Sequence, residues 1–147
     1  MININNIFSL FSSNDDLDGK NNAPAYVDFT NTPVYWVGMY KKLILNHINF
    51  NTKVIQFFKM ADHEFDSADM KEASEFITYN RAWSYISQVD PNISEHLEAI
   101  YYYSDEHLDT ALKLGINYFE QSEQYERCAL LHKILLSIEN FQKELGD

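Results

Sequence analysis

TPVYWVGMYKKLILNHINFNTKVIQFFKM, residues 32–60, is the stretch on which the fold turns. Thr32 offers a hydroxyl to cap a helix, and Pro33 behind it stands where a missing N–H costs nothing. Trp36, Tyr40, Leu43, His47, Phe50, Val54 and Phe57 then follow at alternating spacings of four and three. That spacing is a heptad seam, the mark of a helix gripped by other helices. A second line of Val37, Ile44, Ile48, Ile55 and Phe58 widens the apolar stripe. The weak point is Asn49-Phe50-Asn51-Thr52, because Asn and Thr compete with the helix for backbone hydrogen bonds and Thr52 could cap a new one. The seam keeps its phase through that point, so the pattern predicts one helix with at most a bend.

Working outward toward the C-terminus, residues 61–67 form an acidic junction, and Asp66 or Ser67 caps a second helix reaching about Val89. Met70, Ala73, Phe76, Ile77, Trp83 and Ile86 make its expected inward face. Asp90-Pro91 is expected to end that helix and begin a third, with Asp as cap and Pro at the first helical position. Its apolar residues are Ile93, Leu97, Ile100 and Tyr101. Ser104, followed by Asp105 and Glu106, reads as the start of a fourth helix holding Leu108, Ala111, Leu112 and Tyr118, with acid at the positive end of the dipole. Ser122 is read as opening the last, striped by Tyr125, Cys128, Leu131, His132, Leu135 and Ile138 and closed by Gly146. The expected fold is all-α: a five-helix antiparallel bundle or small helical array around one long central helix, about 32–60. Residues 32–147 form a single domain in this reading.

Toward the N-terminus the character changes. Residues 1–31 are read as an arm and linker. Ile4, Ile7, Phe8 and Phe11 stand at helical spacing, and Asn14 to Pro24 is linker chemistry throughout. Four apolar side chains on such a tether suit a groove on a partner, which makes them candidate contact residues. Ala25 to Asn31 alternates as a short extended segment would.

Composition narrows the classes of function. With 147 residues, 46% hydrophobic and 15% aromatic, the chain can bury a core without staples. Glycine and proline number four and three, too few for the turns of a sheet-rich protein. The formal charge of −11 argues against binding a nucleic-acid backbone or an anionic membrane surface. It reads either as solubility or as an acidic face shaped for a basic partner. The single cysteine, Cys128, excludes an internal disulfide and a Cys-based zinc site. The N-terminus lacks the basic region of a signal peptide, and no stretch approaches the ~20 apolar residues of a membrane span. An intracellular, soluble product is expected, or a virion component if the chain is phage-derived.

Leu114-Gly115, Tyr118, Tyr125 and Cys128-Ala129 faintly resemble the Leu-Gly, aromatic and small-residue positions of a tetratricopeptide repeat. Ser87 to Asn92 resembles the way such repeats close. The turn is a residue too long, however, and the fragments lie out of register with one repeat period, so helix-hairpin packing is the reading kept. Five histidines raise the question of metal. His63, His96 and His107 adjoin carboxylates, yet none sits in a Glu-x-x-His pair and residues 62–69 lack the glycine of a calcium loop. His47, mid-seam, is expected to be a hydrogen-bonded core residue. Cys128 and His132 are neighbours on one helix but share a buried stripe, where a thiol is inert. No phosphate loop, GxSxG or HExxH is present. The expectation is a protein without catalysis, metal or cofactor.

Tyr101-Tyr102-Tyr103 cannot all face one core, since consecutive helical residues span most of the circumference. Tyrosine is favoured at interfaces, so the triplet is a second candidate contact surface. Together with the arm and the broad stripe, it points to a non-catalytic structural or adaptor subunit held by protein partners in an oligomer or larger assembly. A small helical ring or connector of a tailed-phage virion would suit the size and the Asn-, Ile-, Lys- and Tyr-rich composition. The alternative is an acidic inhibitor or nucleic-acid mimic that blocks a basic partner. It would gather Glu72, Glu75, Glu95, Glu98, Glu120, Glu123 and Glu126 on one face.

Overall fold

Thr32 stands just outside the first helix with extended backbone, and its Oγ1 accepts the Tyr35 N–H at 3.3 Å. These coordinates come from a computed structural model that describes residues 28–146. Ile4, Ile7, Phe8 and Phe11, and Ala25 to Val27 of the expected extended segment, lie outside the described residues. Of that segment Asp28 to Asn31 is described, and Phe29–Asn31 forms a 3-10 turn capped by Asp28, not a strand. A side-chain acceptor two residues upstream closes the turn locally, which leaves nothing for a ladder.

All five main elements are α-helices, and no strand occurs among the described residues. Helix α1 is Pro33–Ala61, α2 Ser67–Ile86, α3 Ser94–Tyr102, α4 Leu108–Gln121 and α5 Tyr125–Gly146. Helix α1 runs through Asn49–Thr52 because those side chains find partners that leave the backbone ladder whole. Thr52 Oγ1 donates to the Ile48 carbonyl at 2.9 Å, and Asn51 Oδ1 accepts from Ser74 Oγ of α2 at 3.3 Å. Asp66 caps α2 through the Ala68 N–H, as its chemistry suggests.

Three expected helix starts fall elsewhere, each for a local reason. Asp90 does not cap α3. Its Oδ1 accepts the Asn92 N–H and its own N–H donates to His96 Nδ1, so 90–93 is a turn and α3 begins at Ser94. Ile93, expected to be apolar core, stands exposed at the helix mouth. Ser104 closes α3 instead of opening α4: its hydroxyl donates to the Tyr101 carbonyl at 2.7 Å, and the left-handed His107 turns the chain into Leu108. Ser122 likewise ends α4. The Gln124 and Glu123 amides reach back to the Phe119 and Glu120 carbonyls with Glu123 left-handed, which is a Schellman closure.

The core lies where α1, α2, α3, α4 and α5 converge. Helix α1 packs on α2, α3 and α4, while α5 packs on α4 and α3. Leu108, Ala111, Leu112, Leu131, Leu135 and Ile138 are buried as their spacing predicts. Tyr40 of α1 is fully buried and its hydroxyl donates to the Ala111 carbonyl at 2.8 Å. That close approach needs Gly115, where a Cβ would stand 2.1 Å from the Tyr40 hydroxyl and 3.0 Å from Leu131 Cδ1. Aromatic pairs tie the remaining seams. Tyr79 stacks on Tyr118 at 4.2 Å, Tyr101 on Phe141 at 4.0 Å, and Trp36 meets His96 edge-on. Arg127 lies over both Trp83 and Phe119 and donates to Asn80 Oδ1. Tyr125 and His132, expected on the α5 stripe, are exposed.

These tyrosines set an alkaline limit on stability. Burial, with a smaller push from Tyr79, raises the Tyr40 phenol far above its ordinary value. Tyr79, Tyr103 and Tyr118 rise too, with burial again the largest cause. A phenol that holds its proton more tightly folded than unfolded stabilises the fold fully below about pH 10. That stabilisation is lost as pH rises further. The melting temperature is therefore expected to fall steeply above about pH 10, and Tyr40→Phe should flatten the fall. A flat profile through pH 11 would contradict a buried Tyr40.

Candidate interaction surface

Helices α1 and α2 form an antiparallel hairpin, and its pairing can be followed residue by residue. Tyr35 meets Tyr85, His47 shares a hydrogen bond with Thr78, Asn51 with Ser74, and Phe58 stacks on Phe65. The inner half of this hairpin is in the core through Val37, Tyr40 and Ile44 on α1 and Tyr79, Ala82 and Ile86 on α2. Between residues 45 and 78 no residue is buried. The outer half of the hairpin adds no buried residue to the core, and only its base reaches it, through the partly buried Leu45.

The heptad seam runs straight out along this half. Phe50 and Phe57, expected to be gripped, are 69% and 68% exposed, and Met60 is 81% exposed. On α2, Ala73, Phe76 and Ile77, expected to face inward, also lie on the surface, with Phe76 and Ile77 at 61% and 64%. The reason is length. At 29 residues α1 is about 43 Å long, while α3 and α4, which pack on it, have 9 and 14. Periodicity records which arc of a helix is apolar, not how far along that arc a partner extends. Five large apolar side chains are thus exposed on this half, Phe50, Phe57 and Met60 on α1 and Phe76 and Ile77 on α2.

A cleft of about 620 Å³ opens between the hairpin and α4, lined by Ile48, Ile55, Lys59, Glu75, Leu114 and Tyr118 among others. The Tyr79–Tyr118 stack borders it, and Glu75 and Glu72 add to the burial that raises Tyr118, against the Arg127 charge. His47 at its rim is half-buried, not a core residue. Burial lowers its pKa against the pull of Glu75, so the ring is neutral near pH 7. Cys128 is buried, donates to the Ile116 carbonyl and is pushed up by burial and by Glu120, all of which suppress the thiolate. His132 on the same helix faces solvent, so the pair forms no nucleophile and base. Among the described residues no three His, Cys, Asp or Glu gather as a metal site, and no helix is long and apolar enough to cross a membrane.

The tyrosine triplet is divided by the fold. Tyr101 is stacked on Phe141, and Tyr103 is packed against Gly38 with Lys41 over its ring. Tyr102 alone is mostly exposed, at 68%, edge-on to Tyr103. On the hairpin, Phe76 and Ile77 are about as exposed as Tyr102, and they carried no sequence signal distinguishing them from core. No family model, curated protein or solved structure matches this chain.

Proposed function

We propose that this chain is a non-catalytic structural or adaptor subunit that enters a larger protein assembly through the outer half of the α1–α2 hairpin. One observation carries the reading: Phe57, Met60, Phe76 and Ile77 lie exposed on a hairpin half that adds no buried residue to the core. Fully burying one such side chain stabilises by about 1.5–3 kcal/mol, so a partner helix or a second hairpin laid here gains several times that before its ordering cost. A small helical ring or connector of a tailed-phage virion is the assembly type that the size and helical make-up suit. That finer assignment rests on analogy of class.

Light scattering across a concentration series tests the reading. The full chain is expected to exceed its monomer mass of 17.3 kDa. Phe57→Glu combined with Phe76→Glu is expected to return it to that mass while leaving the helical circular dichroism unchanged. A wild-type chain that stays monomeric throughout counts against self-assembly by this face. Association that survives both substitutions removes the face from the reading.

A further inference from the structure

A second feature of α1 starts at its N-terminal end and runs as far as Phe50, short of Phe57 and Met60. Tyr35, Met39, Lys42, Asn46 and Phe50 follow at spacings of three and four and so form one strip down the helix. Two grooves lie on it. The first, about 410 Å³, runs between Phe29, Tyr35 and Tyr103 and includes Met39, Lys42 and Leu45. The second, about 300 Å³, shares Met39, Lys42 and Asn46 and ends at Phe50. The strip is also electrically unlike the rest of the molecule. Helix α1 contains Lys41, Lys42, Lys53 and Lys59 and none of the 22 acids of the chain. Of these four lysines only Lys41 meets a carboxylate among the described residues, Glu106 at 2.8 Å. Lys42 and Lys53 are exposed cations on a protein of formal charge −11.

We propose that the occupant of this strip is the chain's own segment 4–18, with Ile4, Ile7, Phe8 and Phe11 in the grooves and Asp15, Asp16 and Asp18 against Lys42 and Lys53. The segment's chemistry, apolar then acidic, complements grooves lined by Lys41 and Lys42, with Lys53 one turn beyond Phe50. Placement supports the same occupant. The described chain starts at Asp28, and the next residue, Phe29, is itself a wall of the first groove, edge-on to Tyr35. Residues 1–27 therefore join the structure at the mouth of that groove. From Phe11 to Asp28 the chain can span at most about 60 Å, which exceeds the ~43 Å length of α1. Covalent attachment presents the segment at millimolar effective concentration, an advantage that a separate acidic peptide lacks. The strip shares Asn46, Phe50 and Lys53 with the outer half of the hairpin but uses none of Phe57, Met60, Phe76 and Ile77, so the inference stands or falls apart from the assembly reading.

Zero-length carbodiimide cross-linking of the full chain tests it, on a dilute equal mixture of ¹⁴N- and ¹⁵N-labelled protein read by mass spectrometry. The expected products join Asp15, Asp16 or Asp18 to Lys42 or Lys53 within one isotopic copy. Phe8→Asp with Phe11→Asp should cut their yield by about tenfold or more, as expected when two phenyl groups lose burial. Lys42→Glu, an exposed change, should lower the Lys53 product as well. Absence of these products overturns the proposal. So do products spread evenly over Lys113, Lys133 and Lys143, isotopically mixed products showing exchange between copies, and yields indifferent to the substitutions.

Discussion

Phe119→Ala is expected to lower the unfolding free energy by about 3–5 kcal/mol, the range for emptying a large aromatic site in a packed core. Phe119 is fully buried and meets Tyr79, Trp83 and Tyr118 edge-on, with the Arg127 guanidinium 5.2 Å from its ring centre. It is the point at which α2, α4 and α5 meet, so the cavity would loosen three helices and leave Arg127 with one aromatic face in place of two. Domains of this size are stable by about 5–15 kcal/mol in total, so the variant should sit near its folding limit. Urea denaturation followed by near-ultraviolet circular dichroism measures this directly. The control is Phe57→Ala, the same chemistry at an exposed site, which should move stability by no more than about 0.5 kcal/mol. Equal costs at the two positions would mean that the division between core and outer hairpin is wrong.

The second large effect is at the α1–α4 contact. Gly115→Ala should destabilise by about 1–3 kcal/mol in spite of alanine's better helix propensity. The new methyl would lie 2.1 Å from the Tyr40 hydroxyl, 3.4 Å from the ring carbon that bears it and 3.0 Å from Leu131 Cδ1. Tyr40 is fully buried and bonded to the Ala111 carbonyl, so it cannot swing aside without giving up that hydrogen bond. Tyr40→Phe alone should cost about 0.5–1.5 kcal/mol, since Ala111 keeps its place in the helix ladder and loses only the phenol. The combined variant removes the atom with which the methyl collides. Its cost should therefore be smaller than the two single costs together, by about 1 kcal/mol or more, when the double-mutant cycle is measured by denaturation. Strict additivity would show that Gly115 and Tyr40 are not in contact.

Much of this arrangement is legible locally. Thr32 and Asp66 cap the helices that their positions imply, and the stripe from Cys128 through Leu131, Leu135 and Ile138 is buried as its spacing requires. Ser104 and Ser122 depart from the expected helix starts for a common reason. A hydroxyl can accept from an amide ahead of it or donate to a carbonyl behind it, so the same serine can open a helix or close one. Ser104 and Ser122 close theirs, toward the Tyr101 and Tyr118 carbonyls.

That the described residues are all-helical could be read from short windows, because the apolar period and the scarcity of glycine and proline are local properties. The apolar arc of α1 was legible in the same way. How much of that arc is core depends on packing: Tyr40 and Ile44 are enclosed, while Phe50 and Phe57 face outward. Packing likewise put Phe76 and Ile77 on the surface and separated Tyr102 from Tyr101 and Tyr103. The physical reason is that a side chain's periodicity is set by its own backbone, whereas its burial is set by where neighbouring helices end. On this chain α2 accompanies α1 to its end, whereas α3 and α4, at 9 and 14 residues against 29, cannot cover its whole length.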